Sequence, residues 1–469
     1  MKRIWFTYLV SIFLVNGIAQ DSTSAFSFSL KEALDYAVKN SYQSQTAALD
    51  IEVSEQTVKS VTAIGYPQIN ATGSFQNYID LPIFVVPSDA FGFPDWFNEW
   101  INSVSQSTQT YPNIPAGNGS EFQELQFGSK YNSSGSITVN QLIFDGSYFI
   151  GLKAAKIFVE VTQHSLTKTE TEVKMLVTQS YYTALVSEEN INILSENNKT
   201  LEKTLAETKA MYEAGFVEEM DVEQLKLMLA NVENSFKTAQ QQSEISRSLL
   251  KFQMGLDIAQ KIELKDDISS LLGATEVALV TQDFKIENHI DFKLVATNET
   301  LMELNTKAEK MKYIPRLSGF FNHQQNSYRN EFDFFSGGKW YPTTLWGINL
   351  SVPLFGGFGR QANLQKAKLE LEKAQIQKEM VEQNLKLQEQ VSRAEYNTAM
   401  DVYKNQKENL ALADKIRNKT AIKFREGVAS SMELTQAENQ YLTTQGNYIQ
   451  SVFQLLNAKT KLDKALNNI

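Results

Sequence analysis

Two long tracts without glycine or proline constrain the fold of this chain more than any other feature. One runs from Leu152 to Ala214 and the other from Arg360 to Glu426. Both consist mostly of strong helix formers, and a helix of roughly sixty-five residues would be about 95 to 100 Å long. An ordinary globular domain cannot bury one face of such a helix. Each tract must therefore pack lengthwise against other helices, in its own chain or in neighbouring subunits.

The overall composition narrows the function classes. The 469 residues carry a formal net charge of −10 and include no cysteine. That charge argues against nucleic acid as a partner, because it is incompatible with a dense basic face. The lack of cysteine excludes disulfides, thiolate metal sites, cysteine nucleophiles and a lipid anchor on cysteine.

Residues 1–19 have the pattern of a signal peptide. Lys2 and Arg3 are followed by an apolar run from Ile4 to Val15, and small residues precede a cleavage site after Ala19. The run is too short to span a bilayer, and no later stretch approaches about 18 consecutive apolar residues. The sequence thus predicts an exported chain without a transmembrane helix.

The first half of the chain is predicted to contain a helix and two strands with a long loop between them. The helix covers Leu30–Ile64. Apolar and polar residues then alternate from Gln68 to Gln76, as in a strand with one apolar and one polar face, and again from Ser136 to Ile143. The stretch Asn77–Lys130 is rich in Pro, Gly, Ser and Asn, which indicates a long irregular loop.

The second half follows the same order. A helix over Ile286–Tyr313 precedes candidate strands at Arg316–Gln324 and Trp346–Leu354, with a loop over 325–344. Gly215 and its counterpart Gly427 end the long tracts, and a shorter helix follows each of them.

Corresponding positions recur about 210 residues apart, which indicates an internal repeat. Phe144-Asp145-Gly146 corresponds to Phe355-Gly356-Gly357, and Gly215 corresponds to Gly427. The predicted domains are a first repeat over 20–255, a connecting segment over 256–283 and a second repeat over 284–469.

The four predicted strands have the length and alternation of strands that cross an outer membrane. Four strands cannot close a barrel, and an open sheet edge is not viable in hydrocarbon. Several chains would therefore share one barrel, and three chains would give twelve strands. A soluble β-sandwich also alternates, but it explains neither the export signal nor the long helices.

The chain resembles the TolC-like outer-membrane efflux proteins over essentially its whole mature length. The resemblance rests on the order of elements, the repeat, the helix ends at Tyr66-Pro67 and Ile314-Pro315, and the turns at Gly215 and Gly427. It implies a mainly helical fold, with a long coiled-coil barrel in the periplasm and a shared twelve-stranded barrel in the cell outer membrane. The implied partners are two further copies in a homotrimer, a periplasmic adaptor, an inner-membrane transporter and outer membrane lipid.

The turns that end the long tracts are the first candidate site. In the family that the chain resembles, the turn glycine and the next two residues meet the adaptor. The matching positions are Gly215, Phe216, Val217, Gly427, Val428 and Ala429. A simpler interpretation is that each glycine only ends a helix in the left-handed conformation. Phe216 and Val217 are apolar at an otherwise polar tip, which favours an interface.

An acid and a glutamine follow each turn and form the candidate periplasmic gate. These residues are Asp221, Gln224, Glu433 and Gln436. Residues three apart share a helix face, so threefold symmetry would arrange them as rings around a channel axis. The family has acids at the positions of both Glu433 and Gln436, so the amide puts a double acidic ring in doubt. Helix capping is the alternative role, because Ser430 and Glu433 have capping-box spacing.

No residue pattern predicts catalysis, a cofactor or a metal. His164, His289 and His323 are isolated, and Gly356-Gly357-Phe358-Gly359 lacks the lysine and serine of a phosphate-binding loop. The resemblance implies a passive exit duct of a tripartite efflux system. The alternatives are the outer-membrane component of a type I protein secretion system and, from another class, an exported coiled-coil structural protein without a pore.

Overall fold

The computed structural model describes residues 26–87, 95–108, 122–126, 128–273, 284–333 and 337–469. The predicted signal peptide lies outside these residues. The described helices are α1 Leu30–Asn40, α2 Tyr42–Ala63, α3 Asp95–Thr108, α4 Gly146–Glu213, α5 Glu219–Met254, α6 Ile268–Gly273, α7 Ile290–Met311, α8 Gly359–Arg425 and α9 Ser431–Ala465. The described strands are β1 Phe26–Phe28, β2 Gln68–Asn77, β3 Ile83–Pro87, β4 Phe122–Gln126, β5 Tyr131–Phe144, β6 Ile262–Leu264, β7 Arg316–Arg329 and β8 Tyr341–Ser351.

The two long tracts form single helices, as predicted. Helix α4 has 68 residues and helix α8 has 67. Neither is interrupted, because no proline or positive-φ glycine occurs within it. Among the described helices, none has an apolar stretch that would allow it to cross a membrane.

The chain divides into two compact units. The first unit consists of the residues up to Glu55, Ile157–Met302 and Glu370–Ile469. The second consists of Gln56–Lys156 and Glu303–Leu369.

The core of the first unit is formed where α4, α5, α8 and α9 pack with the N-terminal segment. Its fully buried side chains include Val177, Tyr181, Met254, Leu455 and Leu462. A short parallel pair joins β1 to β6, which was not predicted. The Tyr181 hydroxyl lies 3.0 Å from both Phe28 O and Asp266 Oδ2, so α4 anchors this pair.

The predicted helix over Leu30–Ile64 is two helices. Ser41 has extended backbone with ψ of 143°, and its Oγ accepts a hydrogen bond from Ser44 N at 3.3 Å. This bond caps α2 and explains the interruption. A similar break divides the predicted helix over Ile286–Tyr313, where His289 Nδ1 accepts from Asp291 N at 3.2 Å and α7 begins at Ile290.

The second unit contains a four-stranded antiparallel sheet in the order β2-β5-β7-β8. All four predicted strands are present, and β2, β5 and β8 alternate as predicted. Alternation is weaker in β7, as predicted, because Phe320 and Phe321 lie on opposite faces. One row across an apolar face joins Ile69 to Val139, Phe321 and Trp346 in register. On the other face, the Thr72 and Ser136 hydroxyl oxygens lie 2.7 Å apart. The sheet therefore has one apolar and one polar side.

The strand boundaries differ from the prediction in the second half. Strand β7 continues to Arg329, and β8 begins at Tyr341, so the predicted loop over 325–344 is shorter. Strand β8 ends at Ser351, because Pro353 lacks the N–H that a ladder needs.

The prediction that Asn77–Lys130 is irregular throughout was wrong. Strand β3 pairs with β4, with Ile83 opposite Gln126, and helix α3 lies between them in sequence. The apolar β-branched run of β3 favours a strand, and Trp96, Trp100 and Val104 recur at helical spacing. The abundance of turn-forming residues concealed these two short patterns.

Candidate functional site

The turn after α4 ends that helix with a left-handed glycine. Gly215 has φ of +82°, its N–H donates to Tyr212 O at 2.9 Å, and Phe216 N donates to Met211 O at 2.9 Å. This pair of bonds is the Schellman motif, which satisfies the last carbonyls of a helix. A Cβ on Gly215 would meet no atom within 4 Å, so the positive φ is the reason for glycine.

The turn after α8 has the same geometry. Gly427 has φ of +70°, its N–H donates to Phe424 O at 3.0 Å, and Val428 N donates to Lys423 O at 2.8 Å. The two turns that correspond in sequence thus end their helices by the same pair of backbone bonds.

Each turn leads into a helix whose third residue is an acid that caps it. Asp221 Oδ2 accepts from Glu218 N at 2.9 Å, and Glu433 Oε2 accepts from Ser430 N at 2.8 Å. The Ser430 hydroxyl completes a capping box by accepting from Glu433 N at 3.2 Å. Helix capping is therefore a present role of both acids, and it leaves part of each carboxylate for other contacts.

The structure brings the two turns together around one cleft of about 830 Å³. Phe216, Val217 and Asp221 line it from the first turn, and Gly427, Ala429 and Ser431 line it from the second. The Ser431 hydroxyl donates a hydrogen bond to Asp221 Oδ1 across the cleft. Two turns far apart in sequence thus form one surface, which we call the tip.

The tip has large apolar side chains in solvent. Phe216 is 78% exposed and Val428 is 75% exposed. Met220 and Met432, which sequence reasoning did not assign to the site, are also exposed on the first turns of α5 and α9. Flexible methionines are frequent on surfaces that bind other proteins. Their equal distance from the two turn glycines was the signal that could have identified them.

The four predicted gate residues do not form one cluster within a chain. Asp221 is half-buried at the cleft, whereas Glu433 and Gln436 are exposed and line a separate cavity of about 370 Å³ between α8 and α9. Thr420 and Lys423 of α8 also line this cavity. Gln224 is half-buried and lines neither cavity. Glu433 and Gln436 do share one face, as their spacing predicted.

A buried acid close to the tip was not predicted. Glu438 is only 5% exposed and lines a cavity of about 170 Å³ with residues of α4 and α8. Burial raises the pKa of its carboxyl group, while the charge of Arg417 acts in the opposite direction. The Arg417 guanidinium lies 4.0 Å from the centre of the Tyr441 ring and 2.8 Å from Asp414 Oδ1. The sequence could have indicated this burial, because Glu438 lies four residues after the apolar Leu434 and therefore on the same face of α9.

Two of the three histidines have a packing or hydrogen-bonding role. His289 is buried and caps α7, and His323 Nδ1 lies 2.7 Å from Thr344 Oγ1 on the sheet. Among the described residues, no group of three or more His, Cys, Asp or Glu side chains is arranged to hold a metal ion.

Residues 286–468 match the family model described as Outer membrane efflux protein. No curated protein matches the chain.

Several solved structures share the fold over almost the whole chain. The crystal structure of CusC, which concerns folding and transmembrane channel formation, aligns at 14% identity over 94% of this chain and 93% of that one, with a TM-score of 0.70. The CmeC outer membrane channel of Campylobacter jejuni aligns at 16% identity over 93% of this chain and 85% of that one, with a TM-score of 0.67. The MtrE outer membrane channel of Neisseria gonorrhoeae aligns at 15% identity over 93% and 88%, with a TM-score of 0.66.

The second half of the chain matches this family's model, and the chain has the fold of solved outer-membrane channels, so its resemblance to the TolC-like outer-membrane efflux proteins is confirmed.

Proposed function

We propose that this protein is a passive exit duct of the outer membrane. Three copies would form one pore, and an inner-membrane transporter and a periplasmic adaptor would supply its substrates. The observation that carries the proposal is the four-stranded sheet, which has one apolar and one polar face and whose outer strands are each unpaired on one side among the described residues.

The free outer strands support a barrel shared between copies. Strands β2 and β8 each pair on one side only among the described residues. An unpaired strand edge is costly in a membrane, where no water can satisfy its backbone groups. Pairing β2 of one copy with β8 of the next removes both free edges of the four-stranded sheet. Three copies then give twelve strands.

The two faces of the sheet support its orientation in the barrel. Ile69, Trp346 and Leu350 are exposed on the apolar face within one chain, as side chains in contact with lipid would be. The polar face of β2 and β5 has hydroxyls and amides without a charge. Such a face suits a water-filled lumen that admits varied solutes. The substrate class would then be selected by the transporter.

The tip supports a contact with a partner in the periplasm. The exposed Phe216 and Val428 would be desolvated by an adaptor, together with Met220 and Met432. The four gate candidates lie on the first two turns of the helices that leave the tip, where three copies would form a narrow entrance. The matching turns and caps of the two halves also support an internal repeat.

Conductance of the purified protein tests the proposal. We expect heat-resistant trimers in detergent that conduct ions when added to a planar bilayer. A protein that stays soluble without detergent and does not conduct would support the coiled-coil structural alternative. Affinity purification from crosslinked cells then separates the two transport alternatives, since efflux requires a transporter for small solutes and secretion requires a peptide-exporting ATPase.

A further inference from the structure

We propose that neighbouring copies are also joined through two helices. Helix α8 of one copy packs antiparallel against α5 of the next, and asparagines form hydrogen bonds across the middle of this pair. The inference rests on the proposed function, because it needs several copies around one axis. It adds which helices meet and at which residues.

Helix α5 has an exposed stripe with the spacing of a coiled-coil contact. Its six positions follow one another at intervals of four and three residues, as in the seven-residue repeat of helices that pack lengthwise. They are Leu227, Asn231, Asn234, Thr238, Gln241 and Ile245. Leu227 is 65% exposed and Ile245 is 61% exposed. At the same distances from its own turn glycine, α9 has Asn439 and Asn457, so it lacks these apolar ends.

Helix α8 has a stripe of the same kind, in the same compact unit as α5. Its six positions are also exposed and have the same intervals. They are Thr398, Val402, Asn405, Asn409, Leu412 and Ile416. At the corresponding distances before its turn, α4 has Thr200 and Thr204 in place of Leu412 and Ile416. Exposed leucine and isoleucine at regular spacing thus distinguish α5 and α8 as the helices that meet a further chain.

The two stripes lie at the same distance from the tip. The turns at Gly215 and Gly427 line one cleft, so their positions along the helices can be compared. Leu227 is the twelfth residue after Gly215, and Ile416 is the eleventh before Gly427. Because α5 leads away from its turn and α8 leads towards its turn, the stripes run antiparallel. Rotation about a shared axis leaves these distances unchanged, so α8 of one copy meets α5 of the next in this register.

This register places amides opposite amides. Asn409 comes opposite Asn234, and Asn405 comes opposite Thr238. Within α8, Asn409 Nδ2 donates to Asn405 Oδ1 at 2.8 Å, which leaves a donor on Asn405 and an acceptor on Asn409 for another helix. The intervals of four and three coincide again only after a shift of seven residues. Such a shift would bury Asn234 against Val402 or Ile416 and leave its amide without a partner.

The charges near the tip fit the same pairing. The last turn of α8 is basic at Lys423, and the first turn of α5 is acidic at Glu219. Lys423 is the fourth residue before Gly427, and Glu219 is the fourth after Gly215. Opposite charges therefore come to the same level when the two helices meet, which favours this pairing over others. A second copy of the chain is thus the occupant that the stripes and the charges fit.

Disulfide formation in full-length protein in outer-membrane vesicles tests which helices meet. The chain has no cysteine, so introduced thiols have no native partner. We expect the double variant Leu227→Cys/Ile416→Cys to give a covalent trimer on mild oxidation, since a disulfide needs Cβ atoms about 3.8 Å apart. Each single variant should run as a monomer on a denaturing gel. Leu227→Cys/Asn409→Cys is the matched control, because its second thiol lies about 10 Å farther along α8, and it should link far less.

A double-mutant cycle tests the amides. Asn234→Ala and Asn409→Ala should each lower the temperature at which the trimer dissociates. Together they should lower it by less than the sum of the two effects, because they remove the same contact. Asn447→Ala, at an exposed position of α9, is the control and should be additive with Asn234→Ala. Additive effects of Asn234→Ala and Asn409→Ala would show that these amides do not meet.

The oligomeric state separates this contact from the proposed function. If heat-resistant trimers form and conduct but Leu227→Cys/Ile416→Cys gives no covalent trimer, the helix contact is wrong and the exit duct stands. A disulfide within one chain would likewise contradict the contact. If no trimer forms in any variant or in the wild type, the proposed function fails and the helix contact fails with it.

Discussion

Ser431, at the start of α9, donates its hydroxyl to Asp221 Oδ1, at the start of α5. This bond joins the helices that follow the two turns, although the residues are 210 positions apart. Asp221 also caps its own helix through Oδ2, which accepts from Glu218 N at 2.9 Å. One carboxylate thus fixes both the start of α5 and the distance from α5 to α9.

Removing that link should loosen the tip. Ser431→Ala deletes the donor to Asp221 and leaves the cap on α5 intact. We expect a higher single-channel conductance in planar bilayers, because the entrance helices separate more easily. Ser430→Ala is the matched control, since it removes a neighbouring hydroxyl that only caps α9, at a cost of about 1 kcal/mol. Equal conductance in both variants would contradict a gating role for the link.

The charge of Glu433 can be separated from its cap. Glu433→Gln keeps an acceptor for the capping box, since glutamine serves there as well as glutamate. If the exposed carboxylate lines the entrance, the variant should lose part of its cation selectivity, measured as a reversal potential in a salt gradient. Glu426→Gln removes an exposed acid on the other side of the turn and should have a smaller effect. Unchanged selectivity in Glu433→Gln would leave capping as the role of this acid.

Stability should depend on pH through Glu438. Burial raises the pKa of this carboxyl group, and the groups around it are Arg417, Asp414, Tyr441 and the cavity-lining Lys203, Glu207 and Arg425. Because the folded pKa is above the ordinary value, the stability is fully present at low pH and is lost as the pH rises through the raised pKa. The slope between the two pKa values is about 1.4 kcal/mol per pH unit.

The measurement is thermal unfolding in detergent at a series of pH values. Glu438→Gln should lack this part of the pH dependence and resemble the wild type at low pH. Glu244→Gln, at an exposed position of α5, serves as the control and should keep the full dependence. The same pH profile in wild type and Glu438→Gln would exclude the buried carboxyl group as its source.

The turn glycine should not tolerate a side chain. Gly427→Ala places alanine at a φ of +70°, which costs about 1 to 2 kcal/mol in the left-handed region. Gly446 lies inside α9, where a Cβ would meet no atom within 4 Å in one chain. Gly446→Ala should therefore stabilise the protein by about 0.5 to 1 kcal/mol. We expect the unfolding temperature to fall in Gly427→Ala and to rise in Gly446→Ala. An unchanged unfolding temperature in Gly427→Ala would contradict the requirement for glycine at this turn.

The apolar face of the sheet should reject charge. Trp346→Arg would place a cation in lipid, at a cost of about 2 to 4 kcal/mol near the bilayer midplane. We expect less folded trimer in outer-membrane fractions. Asn349→Arg carries the same charge on the polar face of the same strand and should assemble normally. Loss of trimer in both variants would argue against the assignment of one face of the sheet to lipid and the other to the lumen.

Local rules account for most of what could be predicted. The absence of glycine and proline predicts α4 and α8, because an uninterrupted backbone ladder needs only neighbours three or four residues away. Period-two alternation likewise predicts the four strands, and Gly215 and Gly427 mark positions where a positive φ ends a helix. The same local rules failed for β3 and α3, whose short patterns lie among many turn-forming residues.

The tertiary structure decided the features that depend on distant partners. The β1–β6 pair and the Asp221–Ser431 link each require a strand or a side chain from a distant part of the chain. The burial of Glu438 depends in the same way on how α4, α8 and α9 pack. The sequence by itself determined the two long helices, the four strands of the sheet and the two glycine turns, since these follow from backbone sterics and periodicity. Only packing determined which turns meet and which charges are removed from water.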